Sequence, residues 1–174
     1  LVLPGVGTFG EGIKRLKEKS LIETIINCAN KGKPILGICL GMQLLFKYSE
    51  ENGHHDGLDL IPGKVVRLQK PLPEDNFKIP HMNWNTIKCP KNELSKGYWG
   101  ETILDGLASG EYMYFIHSFF VVPDVTINVL AVTGHGYDTF CSVTKKNNLV
   151  GCQFHPERSG TIGLKILQNF AKQK

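Results

Sequence analysis

The chain has 174 residues, of which 41% are hydrophobic and 21% charged, with a formal net charge of +4. This length and apolar share suit one domain with a developed core. No apolar run approaches the length of roughly 20 residues that a membrane-spanning helix needs, which excludes the membrane-spanning class. A mildly basic stretch, residues 64–96, lacks the aromatic and arginine content of a nucleic-acid-binding surface and is expected to be a solvated face.

The cysteine pattern indicates a reducing compartment. Five cysteines form an odd number without regular spacing, which argues against a disulfide framework and predicts a cytoplasmic location. No Cys-x-x-Cys pair is present, so neither a structural zinc site nor any other metal is expected. The polar segment His54-His55-Asp56 is predicted to be a solvated loop rather than a ligand set.

The first third of the chain predicts alternating strands and helices. Leu1-Val2-Leu3 resembles the end of a strand and Pro4-Gly5-Val6-Gly7 a loop, so we expect one domain over 1–174 that lacks an N-terminal piece, which hides any targeting segment. Apolar spacing predicts a helix over 11–31, broken near Ser20, then a strand over 34–38 and a helix over 40–48. This order predicts an α/β domain with a parallel sheet.

The rest of the chain predicts short strands and one closing helix. Turn residues separate the β-like runs, and residues 145–148 are typical of a hairpin connection. A helix is expected over 161–170. The predicted strands are 64–68, 84–88, 112–116, 129–133, 140–144 and 149–154.

A cysteine between two glycines is the first candidate for chemistry. Gly37-Ile38-Cys39-Leu40-Gly41 joins a predicted buried strand to a predicted helix, which is typical of a nucleophile elbow. Glycines are needed there because side chains would collide at the tight bend. The amide groups of the helix N-terminus are expected to favour the thiolate of Cys39.

A second segment, residues 153–157, supplies partners for the thiol. His155 ends a predicted strand, and Glu157 follows two residues later, on the same side of an extended chain. A thiol nucleophile needs an imidazole to take its proton and a carboxylate to fix the imidazole tautomer. The sequence therefore predicts a catalytic triad of Cys39, His155 and Glu157. A structural histidine beside a surface acid is the alternative.

Backbone amides could stabilise the oxyanion that acyl transfer develops. The amide of Leu40, at the predicted helix start, is one candidate donor. The loop Pro4-Gly5-Val6-Gly7 is the other, because it follows a neighbouring strand and should meet the same edge of the sheet.

Three motifs together resemble the class I, triad-type glutamine amidotransferases. They are Pro-Gly-Val-Gly at 4–7, Gly-Ile-Cys-Leu-Gly-Met-Gln at 37–43 and Gln-Phe-His-Pro-Glu at 153–157. The resemblance implies a flavodoxin-like three-layer α/β fold without a cofactor, and a missing N-terminal strand-helix-strand unit in this chain. It also implies a glutaminase that hydrolyses glutamine to glutamate and ammonia through a glutamyl thioester.

Within that family the chain most resembles the glutaminase subunits of imidazole glycerol phosphate synthase, in histidine biosynthesis. Segments such as 79–85, 114–118 and 153–159 carry this likeness. It implies a heterodimer with a (β/α)8-barrel cyclase through which the ammonia passes, and low activity until the partner and its ligand complete the oxyanion hole. The resemblance implies oxyanion donors at Val6 and Leu40, glutamine contacts at Gly5, Gly7, Gln43, Glu51, His117 and Ser118, and partner contacts at Met82, Trp84, Tyr114 and Arg158.

Two departures from the family pattern leave the identity of the partner open. Asn83 stands where a glycine is usual, and Arg158 where lysine is common. One alternative is a paralogue with the same triad that supplies ammonia to another synthase, such as one that amidates a surface sugar. Others are an inactive partner-binding scaffold and a cysteine peptidase of the same general fold.

Overall fold

The computed structural model of the chain describes residues 1–90 and 98–173. In these two ranges the four α-helices are α1 (Phe9–Glu18), α2 (Ile22–Asn30), α3 (Leu40–Leu44) and α4 (Gly160–Ala171). The eleven strands within the described ranges are β1 (Val2–Leu3), β2 (Ile35–Ile38), β3 (Phe46–Ser49), β4 (His55–Asp56), β5 (Ile61–Arg67), β6 (His81–Thr86), β7 (Tyr112–His117), β8 (Phe119–Pro123), β9 (Val129–His135), β10 (Asp138–Lys146) and β11 (Leu149–Cys152).

A five-stranded sheet in the order β1-β2-β11-β10-β9 forms the centre of the domain. β1, β2 and β11 are parallel, and β10 and β9 continue the sheet antiparallel. Neighbouring residues of β2 point to opposite faces, so Ile35 belongs to the core cluster with α1 and α2, and Leu36 to the one with α4. The sheet is therefore covered on both sides, which confirms the predicted three-layer α/β class.

The predicted helix over 11–31 is broken where expected. α1 and α2 flank Ser20, whose φ of 53° lies in the left-handed region. The helix predicted over 40–48 is wrong in its second half, since α3 ends at Leu44 and 46–49 is strand β3. The carbonyls of Leu44 and Leu45 accept from the amides of residues 58, 60 and 61 instead of continuing the helix. The apolar pattern of 40–48 could not reveal these distant partners.

Two smaller sheets carry the remaining strands, in the orders β4-β3-β5-β8 and β6-β7. All six predicted strands are confirmed with shifted ends, as are the hairpin connection at 147–148 and the helix α4. The solvated loop predicted over 54–56 is wrong at His55 and Asp56, which form β4 because they pair with β3. Residues 91–96 of the basic stretch lie outside the described residues. Within the described ranges, no helix is long and apolar enough to cross a membrane.

Candidate active site

Cys39 lies on a tight bend between β2 and α3. It is the N-cap of α3, with a φ of 52° that a residue with a side chain rarely adopts. A Cβ atom on Gly41 would lie 1.7 Å from the carbonyl oxygen of Leu3, and one on Gly37 would lie 2.7 Å from the backbone of Gly41. Both glycines are therefore required by close backbone packing, which confirms the predicted elbow.

His155 and Glu157 are in direct contact. Nδ1 of His155 lies 2.7 Å from Oε1 of Glu157. The sequence argument for this contact assumed an extended chain, whereas residues 156–158 form a 3-10 turn. Because a carboxylate can only accept, Nδ1 carries the proton and Nε2 is the basic nitrogen. Nε2 is buried and has no hydrogen-bond partner within the described part of the chain, so its lone pair is unused there.

One pocket of about 270 Å³ contains both Cys39 and His155. It brings together nearly all residues predicted to bind glutamine or to form the oxyanion hole. Gly5 instead packs against Leu40 and Gly41, and Glu157 lies behind His155 with its side chain 47% exposed. The predicted residues that line the pocket are Val6, Gly7, Cys39, Leu40, Gln43, Glu51, His117, Ser118 and His155.

The polar groups of this pocket are fixed by backbone contacts. Oε2 of Glu51 accepts from the amide of Phe9, the first residue of α1, at 2.6 Å. Nδ1 of His117 donates to the carbonyl oxygen of Phe119 at 2.9 Å. Val6, by contrast, is 73% exposed, and Gly7 has a φ of +104°, where a Cβ atom would meet no atom of the described residues within 4 Å. The wall of the pocket formed by residues 6–7 is thus loosely packed.

The thiol of Cys39 is held in its neutral form. Burial raises its pKa to about 11, and the nearby Glu157 carboxylate adds to the rise, while the amide of Leu40 and the side chain of Gln153 lower it. The prediction that the helix N-terminus favours the thiolate is therefore wrong in its net effect. α3 has only five residues, and desolvation of the charge outweighs its amides. The thiol donates to the carbonyl oxygen of Ile116 at 3.8 Å.

The residues predicted to contact a partner form a surface patch on β6, β7 and the 3-10 turn at 156–158. Met82 and Trp84 are 59% and 48% exposed. The Trp84 and Tyr114 ring centroids are 6.0 Å apart, and the Arg158 guanidinium stands 4.5 Å above the Tyr114 ring. Asn83 lies between Met82 and Trp84 in β6. Its backbone is outside the left-handed region, so that region does not require a glycine at this position.

Sequence reasoning missed two polar groups beside the pocket. Gln153 is fully buried, and its Nε2 lies 3.8 Å from the sulfur of Cys39. His81 contacts His117, with 3.1 Å between ring nitrogens. For Gln153 a signal exists, because it is a polar residue two positions before His155 at the end of an otherwise apolar strand. The sequence gives no comparable signal for the pairing of His81 with His117.

Comparison with known proteins agrees with this geometry. The family model of glutamine amidotransferase class-I matches residues 1–174. The chain belongs to this family. Among curated relatives, the imidazole glycerol phosphate synthase subunit HisH of Syntrophotalea carbinolica is 45% identical and covers 98% of this chain and 79% of its own length. The subunit HisH of Sulfurimonas denitrificans is 44% identical, covering 100% of this chain and 79% of its own.

Solved structures of the same fold are more distant in sequence. A glutamine amidotransferase crystal structure matches with a TM-score of 0.64 at 17% identity, covering 98% of this chain and 78% of its own. The structure of PurLQS from Thermotoga maritima matches with a TM-score of 0.60 at 19% identity, covering 98% of this chain and 78% of the matched one. These likenesses support the flavodoxin-like fold class.

Proposed function

We propose that the chain is the glutaminase subunit of imidazole glycerol phosphate synthase, with Cys39 as nucleophile. The observation that carries the proposal is the pocket lined by both Cys39 and His155, with Glu157 accepting from Nδ1 of His155 and Nε2 left without a partner among the described residues. Relatives at 44–45% identity, named as subunits of that synthase, support the assignment.

The reaction follows from these three side chains. Nε2 of His155 takes the thiol proton, and the sulfur attacks the side-chain amide carbon of glutamine. The imidazolium then protonates the leaving nitrogen, so ammonia departs and a glutamyl thioester remains. Water, deprotonated by His155, hydrolyses the thioester to glutamate and restores the thiol. The Glu157 carboxylate stabilises the imidazolium in both halves.

Binding of glutamine is assigned to the polar wall of the pocket. Glu51 is an anionic acceptor suited to the substrate ammonium group, and the side-chain oxygen of Gln43 is a second acceptor. His117 and Ser118 form the facing wall, with Gly5 and Gly7 in the flanking loop. A carboxylate fixed by the α1 amide keeps its position without substrate, which reduces the ordering that binding requires.

The oxyanion hole is assigned to the amides of Leu40 and Val6. The Leu40 amide lowers the pKa of the Cys39 thiol, as expected of a backbone donor next to the reacting sulfur. The loop around Val6 is exposed and loosely packed, so its amide can change orientation at low cost. We therefore place the switch for activation in this loop.

A (β/α)8-barrel cyclase is the proposed partner, docked on Met82, Trp84, Tyr114 and Arg158. Exposed aromatic and arginine side chains in one patch are typical interface anchors. The patch also reaches the active site, because the amide of His155 donates to the carbonyl oxygen of Tyr114 at 3.0 Å. Docking against Tyr114 can thus act on the general base.

The proposal includes a cytoplasmic location, which the five free cysteines support.

The test of the proposed function uses the full natural chain mixed with a histidine-pathway cyclase, with and without the cyclase's nucleotide ligand, and measures glutamate release. We expect weak hydrolysis alone, strong stimulation in the liganded complex and no activity for Cys39→Ala. Co-purification without stimulation would refute the histidine assignment, and full activity of the isolated chain would refute the switch.

A further inference from the structure

A directed chain of side-chain amides ends on the sulfur of Cys39. Nε2 of Gln43 donates to Oε1 of Gln153 at 3.1 Å, and Nε2 of Gln153 donates to the sulfur at 3.8 Å. We propose that Gln153 is a positioning residue whose amide, oriented by Gln43, donates a hydrogen bond that favours the Cys39 thiolate. The proposal rests on Cys39 as the nucleophile of the proposed function.

The orientation of both amides follows from one carbonyl group. The carbonyl oxygen of Phe119 can only accept, and it lies 2.9 Å from the amide group of Gln43. Gln43 must therefore present its nitrogen to Phe119, and its second N–H reaches Gln153. Gln153 must then present oxygen to Gln43, which leaves its nitrogen facing the sulfur. A flip of either amide would place two donors or two acceptors against each other.

The Phe119 carbonyl is itself held by buried His117, whose ring contacts a second buried histidine, His81. The carbonyl oxygen of Phe119 accepts from Nδ1 of His117, so Nε2 of His117 is an acceptor and receives a hydrogen bond from Nδ1 of His81 at 3.1 Å. Nε2 of His81 accepts in turn from the side-chain amide of Asn85 at 3.2 Å. Each contact fixes the direction of the next, so the chain from Asn85 to the sulfur has a single consistent pattern.

Burial makes this pattern costly to disturb. Gln153 is fully buried, and Gln43 is 5% exposed. Leaving a buried amide hydrogen unpaired is unfavourable, so Gln153 retains its donor toward the sulfur in the absence of any ligand.

The hydrogen bond matters because the other contacts of the sulfur change on ionisation. The neutral thiol donates to the carbonyl oxygen of Ile116, and the thiolate has no proton to donate and is repelled by that oxygen. The amides of Gln153 and Leu40 remain as donors and stabilise the charge. When His155 takes the thiol proton, the sulfur loses its contact with Ile116 and keeps its contact with Gln153. The Gln153 contact therefore restricts the movement of the sulfur.

The test is alkylation of Cys39 by iodoacetamide in the full chain, followed peptide by peptide with mass spectrometry at pH 8. Gln153→Met keeps the side-chain length and removes the donor. Loss of one hydrogen bond to a charged group lowers the thiolate population about tenfold. The remaining thiolate is more basic and reacts about threefold faster, which offsets part of this loss in the alkylation rate. We expect alkylation about threefold slower than in the unsubstituted chain.

The sign of the change separates positioning from packing. If Gln153 only filled space, its substitution would loosen the pocket and speed alkylation. Thr144→Val is the matched control, because it removes another buried side-chain hydrogen bond of the same sheet, at 2.8 Å to the carbonyl oxygen of Asn128, and should leave the Cys39 rate unchanged. An equal or faster rate in folded Gln153→Met overturns the proposal.

A second variant covers the case in which Gln153→Met does not fold. Gln153→Glu keeps an oxygen for Gln43 and places a carboxylate against the sulfur. At pH 9 its Cys39 should be alkylated more than threefold slower than that of the unsubstituted chain at the same pH, and an unchanged rate overturns the proposal. Iodoacetamide is not a glutamine analogue, so these rates do not depend on glutamine binding. A chain that fails to hydrolyse glutamine but shows the expected rates would refute the proposed function alone.

Discussion

The isolated chain should hold Cys39 as an unreactive thiol across the physiological pH range. Its pKa rises from 9.0 to about 11, mainly through burial. At pH 8 the thiolate fraction is then about 1 in 1,000, compared with about 1 in 10 for the ordinary thiol. The more basic thiolate is intrinsically about tenfold more nucleophilic, because the logarithm of the thiolate rate constant rises by roughly 0.5 for each unit of thiol pKa. The net rate is therefore about tenfold below that of an ordinary thiol.

The assay is the pH dependence of Cys39 alkylation between pH 6 and pH 10. Below the pKa the rate should rise about tenfold per pH unit, and no plateau should appear within that range. Cys28, which is partly buried in α2, reports within the same sample on any general loosening of the chain. A plateau below pH 9 at Cys39 would refute the reasoning, because it would show that the amides of α3 outweigh burial.

Three further predictions follow from the packing and charges. Gly41→Ala should destabilise the fold by roughly 3 kcal/mol or more, seen by urea unfolding, because its Cβ would lie 1.7 Å from a backbone oxygen. Stability should fall as pH drops from about 6.5 toward 4, because burial lowers the pKa of His81 to about 4 and the unfolded chain binds the proton first. Trp84→Ala should weaken cyclase binding at least tenfold by titration calorimetry, with unchanged unfolding.

Each of these predictions has a matched control. Gly134→Ala, where a Cβ meets no atom of the described part of the chain within 4 Å, should leave stability nearly unchanged, and equal losses at both glycines would contradict the elbow argument. His81→Asn should reduce the loss of folding stability between about pH 6.5 and pH 4. His54→Asn, which replaces an exposed histidine, should leave that loss unchanged. Ile127→Ala removes a side chain that is 77% exposed outside the patch. If it weakened cyclase binding as much as Trp84→Ala, the assigned interface would be wrong.

Local spacing was sufficient to predict the elbow and the pairing of His155 with Glu157. Gly37 and Gly41 indicate a bend that tolerates no side chains, and the structure places their backbones in close contact. Residues 155 and 157 are close along the chain in either an extended segment or a turn, so the contact was predicted correctly although the local conformation was not.

Long-range partners explain what local spacing could not predict. Residues 46–49 have an apolar pattern compatible with a helix, and they form a strand because residues 61–65 pair with them. The pKa of the Cys39 thiol depends on how deeply the elbow is buried, and that burial results from the packing of all three layers of the domain. The orientation of Gln153 depends on Phe119, a residue 34 positions away, through Gln43 on another element.

Labelling of the complex by an electrophilic analogue of glutamine tests the central claim most directly. The full natural chain, bound to the cyclase with its nucleotide ligand, is treated with a chloroketone analogue, and the modified residue is identified by mass spectrometry. We predict one label per chain, on Cys39, with loss of glutaminase activity and protection by glutamine. A complex that hydrolyses glutamine but carries the label elsewhere, or remains fully active when Cys39 is labelled, would contradict the assignment of Cys39 as nucleophile.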